Sequence, residues 1–170
     1  MSTRGSTAPD PDAARRAADR ARQRPPASDD PQFEAIRRGR VGSPALVSSP
    51  DGAPAFWLVP FESDHRACGV ARVDLSGVVS QVATFGSGPR DREAWPDMSF
   101  FEHPPPALVA EAMRQHPSLH AETARLSYDG TPAKWGWRIE ARGTPTLVFI
   151  SPGGWYARDA SRTPDADREG

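Results

Sequence analysis

The stretch Ser49–Glu62, SPDGAPAFWLVPFE, recurs 78 residues later as Ser127–Glu140, SYDGTPAKWGWRIE. Seven of the fourteen positions are identical, among them an Asp-Gly pair and the tryptophans Trp57 and Trp135. Asp-Gly is typical of a tight turn, and the tryptophan that follows each turn heads an apolar strand face. The sequence therefore predicts an internal duplication, with two similar units in one fold.

Each copy belongs to a series of predicted strands. In Ala55–Phe61 the side chains alternate between two faces, and this period of two residues indicates a strand that is buried on one side. Pro60 indicates that the strand lies at a sheet edge or contains a bulge. The other predicted strands are 69–75 and 78–85 in the first series, and 120–128, 133–141, 144–151 and a short strand around Trp155 in the second.

A short helix precedes each series. Asp30 and Pro31 supply a helix cap and a proline at the first helical position, and Pro106 begins a second helix. We expect an α+β fold in which two αβ-meander repeats form one antiparallel β-sheet, with the short helices packed on one face. The predicted organisation is a disordered tail at 1–30, one α+β domain at 31–158 (repeat one 31–85, connecting loop 86–105, repeat two 106–158) and a disordered tail at 159–170.

The predicted tails contain no large apolar residue. Leu, Ile, Val, Phe, Trp and Tyr are absent from Ser2 to Gln32 and from Arg158 to Gly170, so neither tail buries enough apolar surface to fold by itself. Residues 13–24 could form a transient helix, but we expect it to lack an apolar face with which to dock.

The composition argues against several functional classes. With 21 basic and 22 acidic residues the net charge is −1, which does not favour binding to nucleic acid or to an anionic membrane. Lys134 is the single lysine, so the other cations are arginines. One cysteine, Cys68, excludes an intramolecular disulfide and an all-cysteine zinc site. Because no run of 18 apolar residues and no apolar N-terminal segment occurs, we expect a soluble, cytoplasmic protein without a membrane partner.

Two histidine motifs could carry chemistry, and each has a structural alternative. His65 and Cys68 could form a thiol–imidazole pair or supply two metal ligands; alternatively, they lie in a hairpin loop with Cys68 buried as a small apolar residue. His116 and His120 have the spacing of helical zinc ligands, but Pro117 between them interrupts a helix.

Two further motifs lie in the predicted connecting loop. Glu102 and His103 could act as an acid and a base, although adjacent residues of an extended chain point apart. The run 86–88, Gly-Ser-Gly, resembles an anion-binding loop but lacks the rest of a P-loop, so a flexible connection is favoured. We therefore assign no catalytic residue, no metal ligand and no cofactor.

Aromatic residues near turns are the better candidates for recognition. Core packing is favoured for Trp57 and Trp135, because the duplicated pattern directs them inward. The candidate binding residues are Trp95, Phe100, His103, Trp155 and His65.

The strand FWLVPF at 56–61 and the hairpin GVARVDLSGVV at 69–79 together resemble the small bacterial PepSY-type, cystatin-like repeat. The residues that match the hairpin of that family are Val70, Arg72, Asp74, Gly77 and Val78. The second unit departs from it, because TLVFISPGG stands at 146–154 in place of the hairpin. The resemblance implies a binding or inhibitory module without catalysis, and it identifies no partner.

Three functions follow from these observations. The first is a non-catalytic binding or inhibitory module that recognises a protein or peptide partner. The second is a small-ligand-binding protein or hydrolytic enzyme that uses His65, His103 and Cys68. The third is an assembly or cargo protein recognised through its tails. The scarcity of histidine, cysteine and lysine favours binding over catalysis.

Overall fold

The computed structural model describes residues 10–87 and 90–162. The helices are α1 (Pro11–Arg22), α2 (Glu34–Arg38) and α3 (Pro106–Gln115). The strands are β1 (Arg40–Val41), β2 (Ala45–Ser48), β3 (Pro54–Ser63), β4 (Arg66–Asp74), β5 (Val79–Thr84), β6 (Arg125–Asp129), β7 (Thr131–Glu140), β8 (Thr146–Ser151) and β9 (Gly154–Asp159). Short 3-10 turns occur at Pro31–Phe33, Arg92–Ala94, Met98–Phe101 and Ala121–Thr123.

All of these strands belong to one sheet with the order β5-β4-β3-β2-β6-β7-β8-β9, and β1 pairs with β3 beside β2. Each predicted repeat is a four-stranded antiparallel meander, so the α+β class is confirmed. The expectation of a wholly antiparallel sheet is wrong at one junction, because β2 and β6 pair in parallel at Ser48 and Ser127.

The helices lie on opposite faces of the sheet and not on one. Alternate residues of β3, Trp57, Val59 and Phe61, pack with α1 and α2 in one apolar cluster. Their neighbours Phe56 and Leu58 belong to a second cluster, which includes Ala112 of α3, Trp137 and Ile139. The parallel junction explains why the helices lie on opposite faces. The rotation that superimposes one meander on the other must keep β2 parallel to β6, so the axis of this rotation runs along the strands. Such a rotation reverses the face of the sheet.

The prediction of a disordered tail at 1–30 is wrong for the described residues 10–30. Helix α1 packs against β3, β4 and β5, and its buried face consists of Ala14, Ala17 and Ala18. Alanine methyl groups let a helix approach the sheet closely, so a docking face exists without large apolar side chains. The Arg22 guanidinium donates to the carbonyl groups of Ile36 and Arg37, both at 3.3 Å. Residues 1–9 lie outside the described part.

Local signals are confirmed where they depend on neighbouring residues. The Asp30 carboxylate accepts a hydrogen bond from the Gln32 amide at 3.0 Å, which caps the turn that leads into α2. Of the two alternatives that Pro60 indicates, the sheet edge is wrong, because β3 is an interior strand, whereas the β3–β4 ladder has a register shift beside the proline, between Phe61 and Glu62. Pro60 lies where β1 has ended and β2 has not begun, and its carbonyl accepts from Gly42 at 2.8 Å. Its missing N–H therefore leaves no gap in a ladder.

The segment 86–105, predicted as a connecting loop, also contributes side chains to both apolar clusters. In its described part, Phe100 and Phe101 pack under the sheet on the side of α3. Trp95 packs in the cluster on the side of α1 and α2. At the C-terminal end β9 includes Asp159, one residue beyond the predicted boundary, and 160–162 are also described. The tail predicted at 159–170 is therefore structured at its start, and residues 163–170 lie outside the described part.

Candidate functional site

An open cleft of about 710 Å³ lies between the first half of β7 and the turn that joins β8 to β9. We call it the β7 cleft. Most of its lining is aromatic or apolar, with three charged side chains among them. The lining residues are Phe85, Asp129, Ala133, Lys134, Trp135, Phe149, Ser151, Pro152, Tyr156 and Arg158. This chemistry, mainly apolar with a few polar groups, is typical of ligand-binding clefts.

The β7 cleft exists because the second meander is incompletely paired. In the first meander the β3–β4 ladder extends to Phe56 opposite Asp74. In the second, the β7–β8 ladder ends at Trp137 opposite Ile150, three residues short of the repeat-equivalent position. The residues Ser151–Gly154 turn away there to begin β9. The cleft occupies the place that the missing strand residues would fill.

A bulge in β7 forms one wall of the cleft. Tyr128 pairs with Trp135, and the next residue of β6, Asp129, pairs with Thr131. The three residues Pro132–Lys134 therefore have no pairing partner in β6, and all three are exposed. Proline and lysine inside a strand weaken pairing, so the sequence of this wall is consistent with its irregular backbone.

A buried ion pair forms the polar part of the floor. Asp129 is only 5% exposed, and its carboxylate accepts from Arg158 Nη2 at 2.6 Å. The Tyr156 hydroxyl donates to the same carboxylate at 2.7 Å. Burial and this hydrogen bond raise the pKa of Tyr156 well above its usual range. These bonds fix the tyrosine ring, which stacks on Phe149 with 5.9 Å between the ring centroids.

The duplicated aspartates have different roles. Asp51 lies in the exposed loop of the first repeat and accepts a hydrogen bond from the Ser49 hydroxyl. That bond is the main cause that lowers the pKa of Asp51. Its counterpart Asp129 faces inward and is paired with Arg158. The shared Asp-Gly sequence thus gives one ordinary turn and one residue of the cleft.

A second depression, which we call the α1 groove, lies between α1 and the segment 39–44 and measures about 860 Å³. Several of its charged groups are used within the fold. Arg22 bonds Asp19 at 2.8 Å and the carbonyls at the end of α2, and Arg15 donates to the Val41 carbonyl at 3.2 Å. We therefore place the candidate site in the β7 cleft, where apolar surface is free.

Two of the predicted binding residues are in the core. Trp95 is 4% exposed and its indole N–H donates to the Phe85 carbonyl at 3.2 Å. Phe100 is 3% exposed, and its carbonyl accepts from the Trp137 indole at 2.7 Å. The expectation that they are available for recognition is wrong, because each anchors the segment 86–105 to the sheet.

The other three predicted residues are at least partly accessible but lie outside the lining of the β7 cleft. The His65 side chain is 92% exposed at the tip of the β3–β4 hairpin, 3.6 Å from the Glu62 carboxylate. His103 is exposed, with Nδ1 3.3 Å from the Pro104 carbonyl. Trp155 is half-buried, and its ring lies 6.0 Å from the imidazole of His116. A binding role for these residues stays a prediction.

The thiol–imidazole pair is not formed. Cys68 is 1% exposed and its thiol donates to the Phe61 carbonyl at 3.2 Å. Burial raises the pKa of Cys68 from 9.0 to about 11, so the thiolate that a nucleophile needs is disfavoured. Cys68 packs with α1 and α2, as its structural alternative predicts.

Metal chemistry also lacks a ligand set in the part of the chain that is described. Within residues 10–87 and 90–162, no three His, Cys, Asp or Glu side chains are grouped as a metal site requires. His116 follows the last residue of α3, and His120 instead contacts Glu122 at 2.7 Å. Pro117 separates the two histidines as expected.

Sequence reasoning missed the main residues of the β7 cleft. Trp135 packs against the core as expected, with its ring next to Phe85, Phe100 and Phe101, but it is half-buried and also lines the cleft. Lys134 and Tyr156 were not singled out. A signal was available for Lys134, since the single lysine of the chain occupies the repeat position that Phe56 occupies in the first copy. No local signal indicates Tyr156, because its role depends on Asp129 from a distant strand.

Comparison of the chain with protein-family models, with curated proteins and with solved structures gives no match. The resemblance to the PepSY-type repeat therefore stays a prediction. Among the described helices, none has the length and apolar character needed to cross a membrane.

Proposed function

We propose that this protein is a non-catalytic binding module that recognises a protein or peptide partner through the β7 cleft. The observation that carries the proposal is an accessible cleft with a mainly aromatic and apolar lining, in which Tyr156 is 42% exposed and held by its hydroxyl. A rigid aromatic ring loses little conformational freedom when it contacts a ligand, which makes such rings effective in recognition.

A peptide is favoured over a small metabolite by the strand beside the cleft. The β8 ladder begins only at Trp137, so the edge of β7 that precedes it is open to a further strand. An extended segment can add backbone hydrogen bonds there while one of its apolar side chains enters the cleft. The hydrolytic alternative is not supported by the surroundings of Cys68, whose thiol is buried and bonded to a carbonyl.

A displayed library of random peptides tests this function with the full chain. We expect the wild-type protein to enrich peptides that contain an aromatic or large aliphatic residue. Ala133→Trp places a large side chain in the cleft from an exposed position, and it should abolish capture of the enriched peptides. Gln81→Trp, on the exposed surface of β5, is the matched control and should retain capture.

Thermal unfolding of both variants verifies that each is folded. If the library gives no enriched sequence, or if Ala133→Trp captures the enriched peptides as well as the control does, the proposed function is wrong.

A further inference from the structure

We infer that the partner segment is acidic: it places a carboxylate against Lys134 while a neighbouring apolar or aromatic side chain lies against Tyr156 in the β7 cleft. The inference rests on the proposed function and adds the chemistry of the partner. It is carried by the charges that line the cleft, by the divergence of the two repeats and by the residues of the β7 wall.

The first argument is charge complementarity. Three charged residues line the cleft, and two of them neutralise each other, because Arg158 and Asp129 form an ion pair at 2.6 Å. The third is Lys134, which is exposed and takes part in none of the ion pairs found among the described residues. The cleft therefore presents one uncompensated positive charge beside its aromatic floor. A ligand carboxylate is the complementary group.

The second argument compares the two repeats. At the position equivalent to Lys134 the first repeat has Phe56, whose ring stacks with Tyr128 and lies under the Arg72 guanidinium at 5.7 Å. At that position β3 is paired with β4, and the residue of β4 opposite Phe56 is Asp74. In the second repeat the β7–β8 ladder ends before this position, and an ammonium group replaces the ring there. The second repeat therefore has an exposed cation outside the ion pairs of the described residues where the first has an internal contact.

The third argument concerns a second copy of this chain as the occupant. If the exposed segments Pro132–Lys134 of two copies paired, Lys134 of one copy would lie close to Lys134 of the other, because the segment is only three residues long. Lysine is a residue with which natural edges avoid self-pairing, and an acidic strand removes the charge repulsion. An acidic partner segment is accordingly the occupant that fits.

Fluorescence polarisation with synthetic peptides tests the inference. The probes are fluorescein-labelled GSTWDTSG with blocked ends and its versions with asparagine or lysine in place of aspartate. Two further probes, GSTTW as a free acid and as an amide, distinguish a C-terminal carboxylate from a side-chain carboxylate. We expect wild-type protein to bind at least one carboxylate probe about three- to five-fold more tightly than its neutral partner.

Variants of the full chain identify the cation. Lys134→Ala should reduce the preference for the carboxylate probe to less than about two-fold, and Lys134→Glu should reverse it in favour of the lysine peptide. The preference should also weaken when salt is raised from about 50 to 500 mM. Arg114→Ala, an exposed arginine of α3, is the matched control and should bind as the wild type does.

The outcomes separate the two proposals. Equal affinity for the acidic, neutral and basic probes, together with loss of binding in Ala133→Trp, overturns the acidic partner and leaves the proposed function standing. Absence of binding to every probe also overturns the inference, while the library experiment decides the function separately. A dimer in sedimentation that Ala133→Trp dissociates would identify a second copy as the occupant and would likewise overturn it.

Discussion

Ser48 and Ser127 join the two halves of the sheet: they pair in parallel register, and the Ser127 hydroxyl donates to the Ser48 carbonyl at 2.9 Å. Ser127 is fully buried at this junction. The two meanders therefore meet with their first strands side by side and present opposite faces to their helices. This one pairing decides that the duplicated units form two apolar clusters and not one.

The serine junction predicts a measurable loss of stability. Ser127→Ala removes the donor and leaves the half-buried Ser48 carbonyl without this partner, so we expect the free energy of unfolding to fall by about 1–2 kcal/mol. Ser43→Ala, at an exposed position, is the control and should change it by less than about 0.5 kcal/mol. Urea denaturation measures both. Equal effects of the two substitutions would contradict a stabilising role for the junction.

The duplicated aspartates predict unequal effects of the same substitution. Asp129→Ala leaves Arg158 without its anion and Tyr156 without its acceptor, and should lower the free energy of unfolding by about 2–3 kcal/mol. Asp51→Ala, the repeat-equivalent change in an exposed turn, should have the smaller effect. Thermal and chemical denaturation compare the two. A larger loss for Asp51→Ala would refute the assignment of different roles.

Cys68 predicts how stability depends on alkaline pH. Its pKa is about 11 in the folded protein against 9.0 for the ordinary group, so the folded state retains the thiol proton more strongly. The contribution is complete below pH 9 and is lost as pH rises to about 11, a decrease of about 2–3 kcal/mol. Denaturation of wild type and Cys68→Ala between these values checks it. If the difference in unfolding free energy between wild type and Cys68→Ala stays constant between pH 9 and pH 11, the prediction of a buried thiol is contradicted.

The close packing of α1 on the sheet predicts that a larger side chain on its alanine face destabilises the protein. Ala18 is fully buried against the sheet, so Ala18→Leu should force the helix outward and lower the free energy of unfolding by about 1–3 kcal/mol. Arg20→Leu, on the exposed side of the same helix, should be nearly neutral. Hydrogen exchange of the α1 amides provides a local measurement. Unchanged protection in Ala18→Leu would show that α1 does not depend on this contact.

The sequence allowed much of the fold to be predicted, but little of the candidate site. The alternation in β3 and the cap at Asp30 are local signals, and the structure confirms both. Of the alternatives that Pro60 indicates, a register shift occurs beside it, but the edge position failed, because the interruption between β1 and β2 is not visible in β3 itself. Trp95 failed as an exposed residue, because a tryptophan beside turns can equally anchor a connecting segment to the core.

The sequence by itself determined the duplication, the two meanders, the start at Pro31 of the turn that leads into α2 and the start of α3, because periodicity, caps and turns act between residues close in the chain. Only the tertiary structure decided the parallel contact of Ser48 with Ser127, the docking of α1 and the β7 cleft. Each of these depends on contacts between distant segments. The cleft in particular arises where β8 ends short of β7, which depends on the registers of three strands together.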